Sequence, residues 1–411
     1  MKPTVLIATT TRWHPTARLA MALAKAGFIV KAVCPSRHPM LKTKAAQARY
    51  SYRGLMPLSS FRNAIDKAKP DLIVPGDDLA TQHLHRLHEQ ESQAGNSQSP
   101  LCALIERSLG SAASFPMAYS RVAFMDIASN EGIRVPETAA IQNIEELRKW
   151  VARAGLPTVL KADGTSGGDG VRIARTGPEA EQAFRKLQAP PLLARAVKRT
   201  LANQDPALLL PAILRKKFIM SAQKFIEGTE ATSAVACWEG NVVASLEFEV
   251  INKRHAAGHS TVVRVIDNVE MKNAAKQLAR RLNLSGLYGL DFMLEGGAGN
   301  AYLIEINPRS TQVGHLALGT GRDIPAALYA AVTGETIKVS PALTEKDTIA
   351  LFPQEWIRDS ASPYLRSAYH DVPWDEPKLI RACIRARKKQ QRWNAKRETV
   401  SGAGAIGARH S

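Results

Sequence analysis

Residues Tyr288 to Arg309 read Y-G-L-D-F-M-L-E, then G-G-A-G-N, then A-Y-L-I-E-I-N-P-R. Two apolar runs flank a turn rich in Gly and Asn, which tolerate positive φ, so the stretch predicts a β-hairpin. With Glu295 opposite Ala301, a regular ladder sets Asp291 opposite Glu305 and Asn307 opposite Gly289, all on one face. Two facing carboxylates sit roughly 5 Å apart, where an effective dielectric of ~20 gives a repulsion of about 3 kcal/mol. A sequence selected for stability alone avoids such a pair. A divalent cation between the two turns the repulsion into binding. Two carboxylates and an amide oxygen, with no Cys or His, suit a hard ion such as Mg²⁺. The alternative is an ordinary strand with one wet face, and the rest of the chain has to decide between them.

The 411 residues are enough for two or three domains with real cores. The opening K-P-T-V-L-I-A-T-T-T holds an apolar run too short for a signal peptide and reads as a first strand. The longest apolar block, Pro206 to Leu214, falls far short of a membrane span. Cys34, Cys102, Cys237 and Cys383 are scattered with no C-x-x-C pair, so neither zinc nor a disulfide framework is expected, and the cytoplasm is the default setting. The formal net charge is +18, and Lys378 to Arg397 alone carries nine Lys or Arg with no Asp or Glu. That tail is either a solvated helix or a contact for an acidic partner; no aromatic signature for RNA accompanies it.

Thr4–Ala8, Phe28–Cys34 and Leu72–Val74 read as strands, with helices at Thr16–Ala26 and Phe61–Ala68 between them. This βαβαβ alternation predicts a parallel sheet with crossover helices. The first turn, T-T-T-R-W-H-P-T, lacks G-x-G-x-x-G, so dinucleotide binding is unsupported. The loop Pro75 to Asp78 lies where such sheets bind ligands; Asp77 or Asp78 either meets a substrate or caps the next helix. Gln93 to Pro100 is a polar linker and the first boundary. A helix is expected from Ser120 to Glu131, and strands at Thr158–Ala162 and up to Ala174 enclose D-G-T-S-G-G-D-G-V. Strand, Gly-rich loop, strand is a flap and not a P-loop, which would lead into a helix. Its backbone N–H groups can close over phosphates, with Lys161 beside them. Pro190 to Lys217 reads as an inserted basic, apolar segment. Strands follow at Ala222–Ile226, Val235–Trp238, Val242–Val250 and Thr261–Val265. Amphipathic helices are expected at Val269–Leu282 and Ile324–Thr333. Trp356 and Trp374 either pack over the site or seal a core, and the core is the expectation.

The order of these features resembles the ATP-grasp superfamily, over roughly Ser120 to Gly334. They are a Rossmann-like domain, a lysine with a Gly-rich flap, Q-K-F-I-E-G-T-E and D-x13-E-I-N-P-R. The E-I-N-P-R hairpin looks most like the carbamoyl phosphate synthetase large subunit and biotin carboxylase branches. The implied fold is α/β: an N-terminal Rossmann-like (pre-ATP-grasp) parallel sheet, a two-lobed α+β ATP-grasp domain and a basic helical C-terminal extension. The implied domains are 1–95, 101–340 (flap lobe about 135–220, metal-binding lobe about 221–340) and 341–411. The resemblance implies ATP-phosphate contacts for Lys161 and for the flap glycines Gly164, Gly167, Gly168 and Gly170, with Ser166 a donor. Arg121 stands where a lysine is expected, which keeps the charge and changes the geometry. Gln223, Lys224, Phe225 and Ile226 match the strand that reads adenine, with Gln223 where many members have Glu. Glu230 matches the ribose contact. Asp291, Glu305 and Asn307 match the magnesium ligands, with Mn²⁺ a substitute. Arg309 matches a catalytic arginine; the position two before the metal Asp, Arg in some branches, is Gly289 here, so Arg264 or Arg309 would supply that charge.

The implied activity is that of an ATP- and Mg²⁺-dependent carbon–nitrogen ligase, ADP-forming, which activates a substrate carboxylate as an acyl-phosphate for attack by an amine. The partners implied are small-molecule carboxylate and amine substrates and a second copy of the chain in a homodimer. Two rivals stand beside it: bicarbonate phosphorylation of the carbamoyl-phosphate-synthetase or carboxylase kind, and a non-catalytic nucleotide-binding regulator or scaffold. His255, His259 and His315 are further candidates near the site.

Overall fold

The computed structural model describes residues 2–163, 170–189, 218–255, 258–336 and 341–387. Strands β1 (Thr4–Ala8), β2 (Ile29–Cys34), β3 (Ala48–Ser51) and β4 (Leu72–Pro75) form a parallel sheet in the order β3-β2-β1-β4. Helices α1 (His14–Ala26), α2 (Pro57–Ala68) and α3 (Asp78–Gln93) connect or follow them. Along β1, Val5 and Ile7 enter one core while Leu6 and Ala8 enter another, as expected for a strand covered on both faces. Helix α4 (Pro100–Leu109) packs Ile105 and Leu109 into the second of those cores, against Leu84 and Leu87 of α3.

After α5 (Arg121–Asn130) comes a small four-stranded sheet. It comprises β5 (Thr138–Ile141), β6 (Thr158–Ala162), β7 (Val171–Ala174) and β8 (Met220–Lys224), ordered β5-β8-β6-β7. Helices α6 (Ile144–Ala154) and α7 (Gly177–Gln188) cover it through Trp150, Leu147 and Phe184. Strands β6 and β7 are antiparallel neighbours, with Lys161 opposite Val171, so the described ends of the Gly-rich loop are those of a hairpin. Strand β8 ends at Lys224, so Phe225 and Ile226 leave the sheet that the sequence reading had given them.

The large sheet has seven strands, ordered β13-β12-β9-β10-β11-β14-β15. They are β9 (Gly228–Trp238), β10 (Asn241–Lys253), β11 (Ser260–Ile266), β12 (Gly286–Glu295), β13 (Ala301–Asn307), β14 (Thr348–Ala350) and β15 (Tyr369–His370). Helix α8 (Val269–Arg281) covers one face, with Met271 and Leu278 on Leu290, Phe292 and Leu303. The other face meets α9 (Ile324–Thr333) and α1, where Ala234, Phe248 and Leu287 share a core with Val5, Ile7 and Leu23. The region after residue 340 is therefore not helical alone: β14 and β15 extend the large sheet, and helical residues 377–387 follow. Trp356 packs beside Phe352, as a core residue should, but Trp374 is 77% exposed, contrary to expectation. The Pro190–Lys217 insertion and residues 388–397 of the basic tail lie outside the described residues. Among the described residues no helix is long and apolar enough to cross a membrane.

The joint between the first half and the large sheet is tight at Gly110. Its φ is +88°, and an added Cβ would lie 2.2 Å from the Asn283 carbonyl oxygen. Neighbouring bonds fix the joint: Ser111 N–H donates to Asn283 O, Ser114 Oγ to Leu282 O and Tyr288 Oη to Leu109 O. Gly110→Ala combines a disfavoured backbone angle with a backbone clash. We expect it to cost about 2–4 kcal/mol in urea denaturation, against about 1 kcal/mol at Gly95, where φ is also positive but the space around it is open.

Candidate nucleotide and metal site

The hairpin sets Asp291 opposite Glu305 and Gly289 opposite Asn307, as the sequence predicts, but by a different path. Near the turn, Leu294 and not Glu295 pairs with Ala301, so the ladder starts one residue out of step. A bulge between Asp291 and Phe292 restores it, with Ile304 as the extra residue. A regular ladder would have put Ala301 and Leu303 on the acid face. With the bulge, both are buried with Phe292 in the core under α8, while Glu305 and Asn307 turn to the other side.

Ile304 also has a second function. Its carbonyl accepts a hydrogen bond from Lys161 Nζ at 3.4 Å, so the small sheet reaches the hairpin at the bulge. Lys161 is 5% exposed, and burial lowers its pKa to about 8, with the Arg121 charge adding to the fall and Glu305 and Asp291 opposing it. Arg121 makes the second crossing. It donates to Glu305 at 2.9 Å, to Asp163 at 3.0 Å and to the Ala162 carbonyl at 2.9 Å. Arg121 is the first residue of α5, where the helix dipole disfavours a cation. Burial disfavours it too, but Glu305 and Asp163 more than compensate and hold its pKa above the usual range. Asp163 was not foreseen as a site residue. A buried arginine at a helix start calls for an anion, but that burial is visible only in the fold.

On the hairpin, Asn307 Nδ2 donates to Asp291 Oδ2 at 2.8 Å, and Thr232 of β9 also donates to Asp291. Burial and the facing Glu305 raise the Asp291 pKa to about 6. Asp291, Glu305 and Asn307 are oxygen donors, a set that fits a hard divalent ion. Among the described residues there is no group of three or more His, Cys, Asp or Glu placed for a metal, so the amide is a necessary part of the set. Arg309 closes the site from the N-terminal side. Its Nε donates to Asp78 at 2.8 Å, its Nη2 to Asn307 Oδ1 at 3.2 Å, and its guanidinium lies 5.5 Å from the centre of the Trp13 ring.

Of the two aspartates of the Pro75–Asp78 loop, Asp77 takes the capping role and Asp78 forms an ion pair. Asp77 caps α3 through Ala80 N and ties down the first turn, accepting from Thr9 Oγ1, Thr10 N, Thr10 Oγ1 and Thr11 N. Asp78 reaches Arg309.

Gln223 is 4% exposed and donates to Thr138 Oγ1 at 3.0 Å, and Glu230 pairs with Lys253 at 2.6 Å. Lys224 ends β8, and Gly170 closes the base of the flap hairpin by accepting from Ala162 N. Gly164, Ser166, Gly167 and Gly168 lie outside the described residues. Arg264 is not brought to the site. It sits on β11, bonded to Glu249 at 3.1 Å, and β9 and β10 separate it from β12, roughly 14 Å at ~4.8 Å per strand. His315 is held by Asp371 at 2.7 Å, and His259 lies 5.7 Å from Trp13.

Because the folded state raises the Asp291 pKa, its ionised form costs stability, fully above about pH 6 and not at all below its ordinary pKa near 4. Asp291→Asn is therefore expected to stabilise the metal-free protein by about 1–2 kcal/mol at pH 7.5 and not at pH 4. Mg²⁺ with nucleotide is expected to raise the melting temperature of the parent, and the same variant should lose that rise, measured by calorimetry.

Comparison with known proteins agrees with this geometry. The family model for the ATP-grasp domain matches residues 208–313. The large chain of carbamoyl phosphate synthase from Mesorhizobium japonicum is 23% identical over 232 residues, covering 54% of this chain and 19% of that one. The chain thus spans about a fifth of the length of such relatives. The ADP complex of N5-carboxyaminoimidazole synthetase from Staphylococcus aureus has a TM-score of 0.58 at 16% identity, covering 83% of this chain and 81% of that one. The biotin carboxylase domain dimer of 2-oxoglutarate carboxylase from Hydrogenobacter thermophilus, solved with MgADP, ADP and bicarbonate, has a TM-score of 0.56 at 16% identity. It covers 83% of this chain and 72% of that one. The large sheet with its acid-bearing hairpin thus lies in and around the stretch that matches the ATP-grasp domain model, and the fold over four-fifths of the chain is similar to that of these solved structures.

Proposed function

We propose that the chain is an ATP- and Mg²⁺-dependent ligase that activates a carboxylate as an acyl-phosphate and passes it to an amine. One observation carries the reading: Lys161 and Arg121 meet Asp291, Glu305, Asn307 and Arg309 where the small sheet faces the large one. Cationic donors and hard-oxygen ligands within one site are what a metal–nucleotide complex requires. Asp291, Glu305 and Asn307 would hold Mg²⁺, which would supply neutralisation of the phosphate charge. Lys161 and Arg121 hold phosphate oxygens, and release of Arg121 from Glu305 frees that carboxylate. Gln223, Lys224, Phe225 and Ile226 receive the adenine, Glu230 the ribose, and Gly164, Ser166, Gly167, Gly168 and Gly170 cover the phosphates. Arg309 steadies charge on the transferring group, with Asp78 and Asn307 fixing its plane.

In this reading residues 1–95 form the pre-ATP-grasp domain, 101–340 the ATP-grasp domain and 341–411 an extension, with α4 as the joint. The working assembly is a homodimer in the cytoplasm. The structural neighbours support the nucleotide, since both hold ADP. The bicarbonate recorded with one of them makes bicarbonate the first acid to try.

The test is nucleotide turnover with panels of acids and amines. Acid-dependent release of ADP and phosphate is expected, and Glu305→Ala should lower it by at least 10²-fold. Release of AMP and pyrophosphate would overturn the acyl-phosphate route. If bicarbonate alone drives ADP release, the carboxyphosphate rival gains; if no acid does, and Glu305→Ala binds MgADP as the parent does, the regulator reading gains. The Lys161 pKa gives a second check. As pH rises through about 8 the ammonium is lost, so ADP affinity should fall about tenfold between pH 7 and pH 9. Lys161→Ala should remove that dependence, as read by titration calorimetry.

A further inference from the structure

Helix α3 carries a polar stripe that reaches the site at two places. Asp78, Thr81, His85 and His88 stand at i, i+3, i+7 and i+10, which is one face of a helix. Asp78 accepts from Arg309 Nε at 2.8 Å. One turn on, the buried Thr81 donates its hydroxyl to the Pro308 carbonyl at 2.8 Å. The helix thus grips the exit of the acid hairpin twice, once at a side chain and once at the backbone beside it.

Further along the same stripe, His85 meets a different segment. Its Nδ1 shares a hydrogen bond of 2.5 Å with the Tyr119 hydroxyl, and its ring stacks on Phe115 with centroids 3.8 Å apart. His88 extends the contact, standing edge-on to Phe115 and bonded to Glu106 of α4 at 2.7 Å. Phe115 lies in the 3-10 segment Ala112–Ala118, and Tyr119 ends it. Ser120 then caps α5 through Ala123 N, and Arg121 opens the helix. Only Ser120 therefore stands between the held phenol and the arginine that crosses to Glu305, Asp163 and the Ala162 carbonyl. Arg121 Nε is buried and has no partner among the described residues, so one donor of that fork is still free for a phosphate oxygen.

Packing alone does not explain the His85–Tyr119 pair. Tyr119 is 38% exposed, so its ring seals little, and the hydroxyl is what ties it down. Burial, then the nearby His88, lowers the His85 pKa to about 3. The imidazole is thus neutral at working pH and adds no charge beside the two arginines. The carboxylates on Arg121 and Arg309 balance their charge, while α3 fixes where each begins: Asp78 and His85 are separated by roughly 10 Å of rigid helix.

We propose that His85 and Tyr119 are positioning residues for Arg121, and that α3 is a common mount holding Arg121 and Arg309 in fixed relation across the phosphate site. The inference rests on the ligase reading above, in which both arginines meet phosphate charge. It goes beyond that reading by giving a helix of the N-terminal sheet a task inside the site, where small errors of placement weaken every contact to the phosphates.

The test is a double-mutant cycle on the full chain, read by titration calorimetry with MgADP. Tyr119→Phe removes the hydroxyl and keeps the ring. It should weaken MgADP about three- to tenfold, the size of one lost neutral hydrogen bond. In the Arg121→Gln background the same change should cost less than about twofold, because the residue it positions is gone. His85→Leu should match Tyr119→Phe, and His85→Asn, whose amide can accept or donate near the place of Nδ1, should recover most of the affinity. The proposal is overturned if Tyr119→Phe binds MgADP like the parent, or if its cost is the same with and without Arg121, which is what a merely structural role gives. Hydrogen exchange read by mass spectrometry needs no nucleotide and gives a second decision. Tyr119→Phe should speed exchange over the first turn of α5 by about threefold or more, and an unchanged rate would sink the mount. If MgADP fails to bind the parent, the ligase reading falls while the exchange result still decides the mount, so the two failures are separable.

Discussion

The geometry of the site depends on one extra residue. Strand β13 must bury Ala301 and Leu303 under α8 and yet present Glu305 and Asn307 to the opposite side of the same sheet. A strand of period two cannot do both, because residues 301, 303, 305 and 307 share a parity. The bulge at Ile304 changes the parity once, between the apolar half and the polar half. It also turns one backbone carbonyl towards the small sheet, where Lys161 takes it. The acid pair, the core beneath it and the first contact between the sheets thus come from a single irregularity.

Around that point the molecule accepts electrostatic costs that a purely structural domain would avoid. Asp291 faces Glu305; Lys161 is buried; Arg121 opens a helix; Arg309 is pressed on an aromatic ring beside His259. Each is only partly relieved by its protein neighbours. Arg121 serves as a counterion for Glu305 and Asp163 at once, and Asp78 does the same for Arg309. These are groups whose charges are matched to something larger than the side chains present, and they are gathered where the three sheets meet.

Much of this was legible from the chain. Strands β1 and β6 and helix α9 begin and end where turn residues and apolar periodicity put them. The Asp291–Glu305 pairing was predictable because a polar pair within an alternating run has few registers open to it. The bulge was not, since it follows from what Leu303 packs against, and packing partners distant in sequence leave no local mark. Asp163 and Trp13 were missed for the same reason. Their roles exist only once Arg121 and Arg309 arrive from 42 residues and far more away. Arg264 shows the converse: it was a candidate for the charge missing at Gly289, but sheet order put it beside Glu249. Strands β14 and β15 are too short to carry a period, so the sequence showed only a tail.

Those two short strands change what the end of the chain means. Strand β14 pairs with β11, and Asp371, just beyond β15, is buried against His315 and Arg18 of α1. A chain shortened to residue 340 would leave β11 with a bare row of amides and carbonyls. It would also leave Arg18 and His315 without their shared carboxylate. An uncovered strand of this kind, S-T-V-V-R-V-I, is apolar and β-branched enough to recruit another like it. The segment that looks like an appendage in sequence therefore works as a selvedge: it finishes the border of the large sheet and keeps one molecule from being woven to the next.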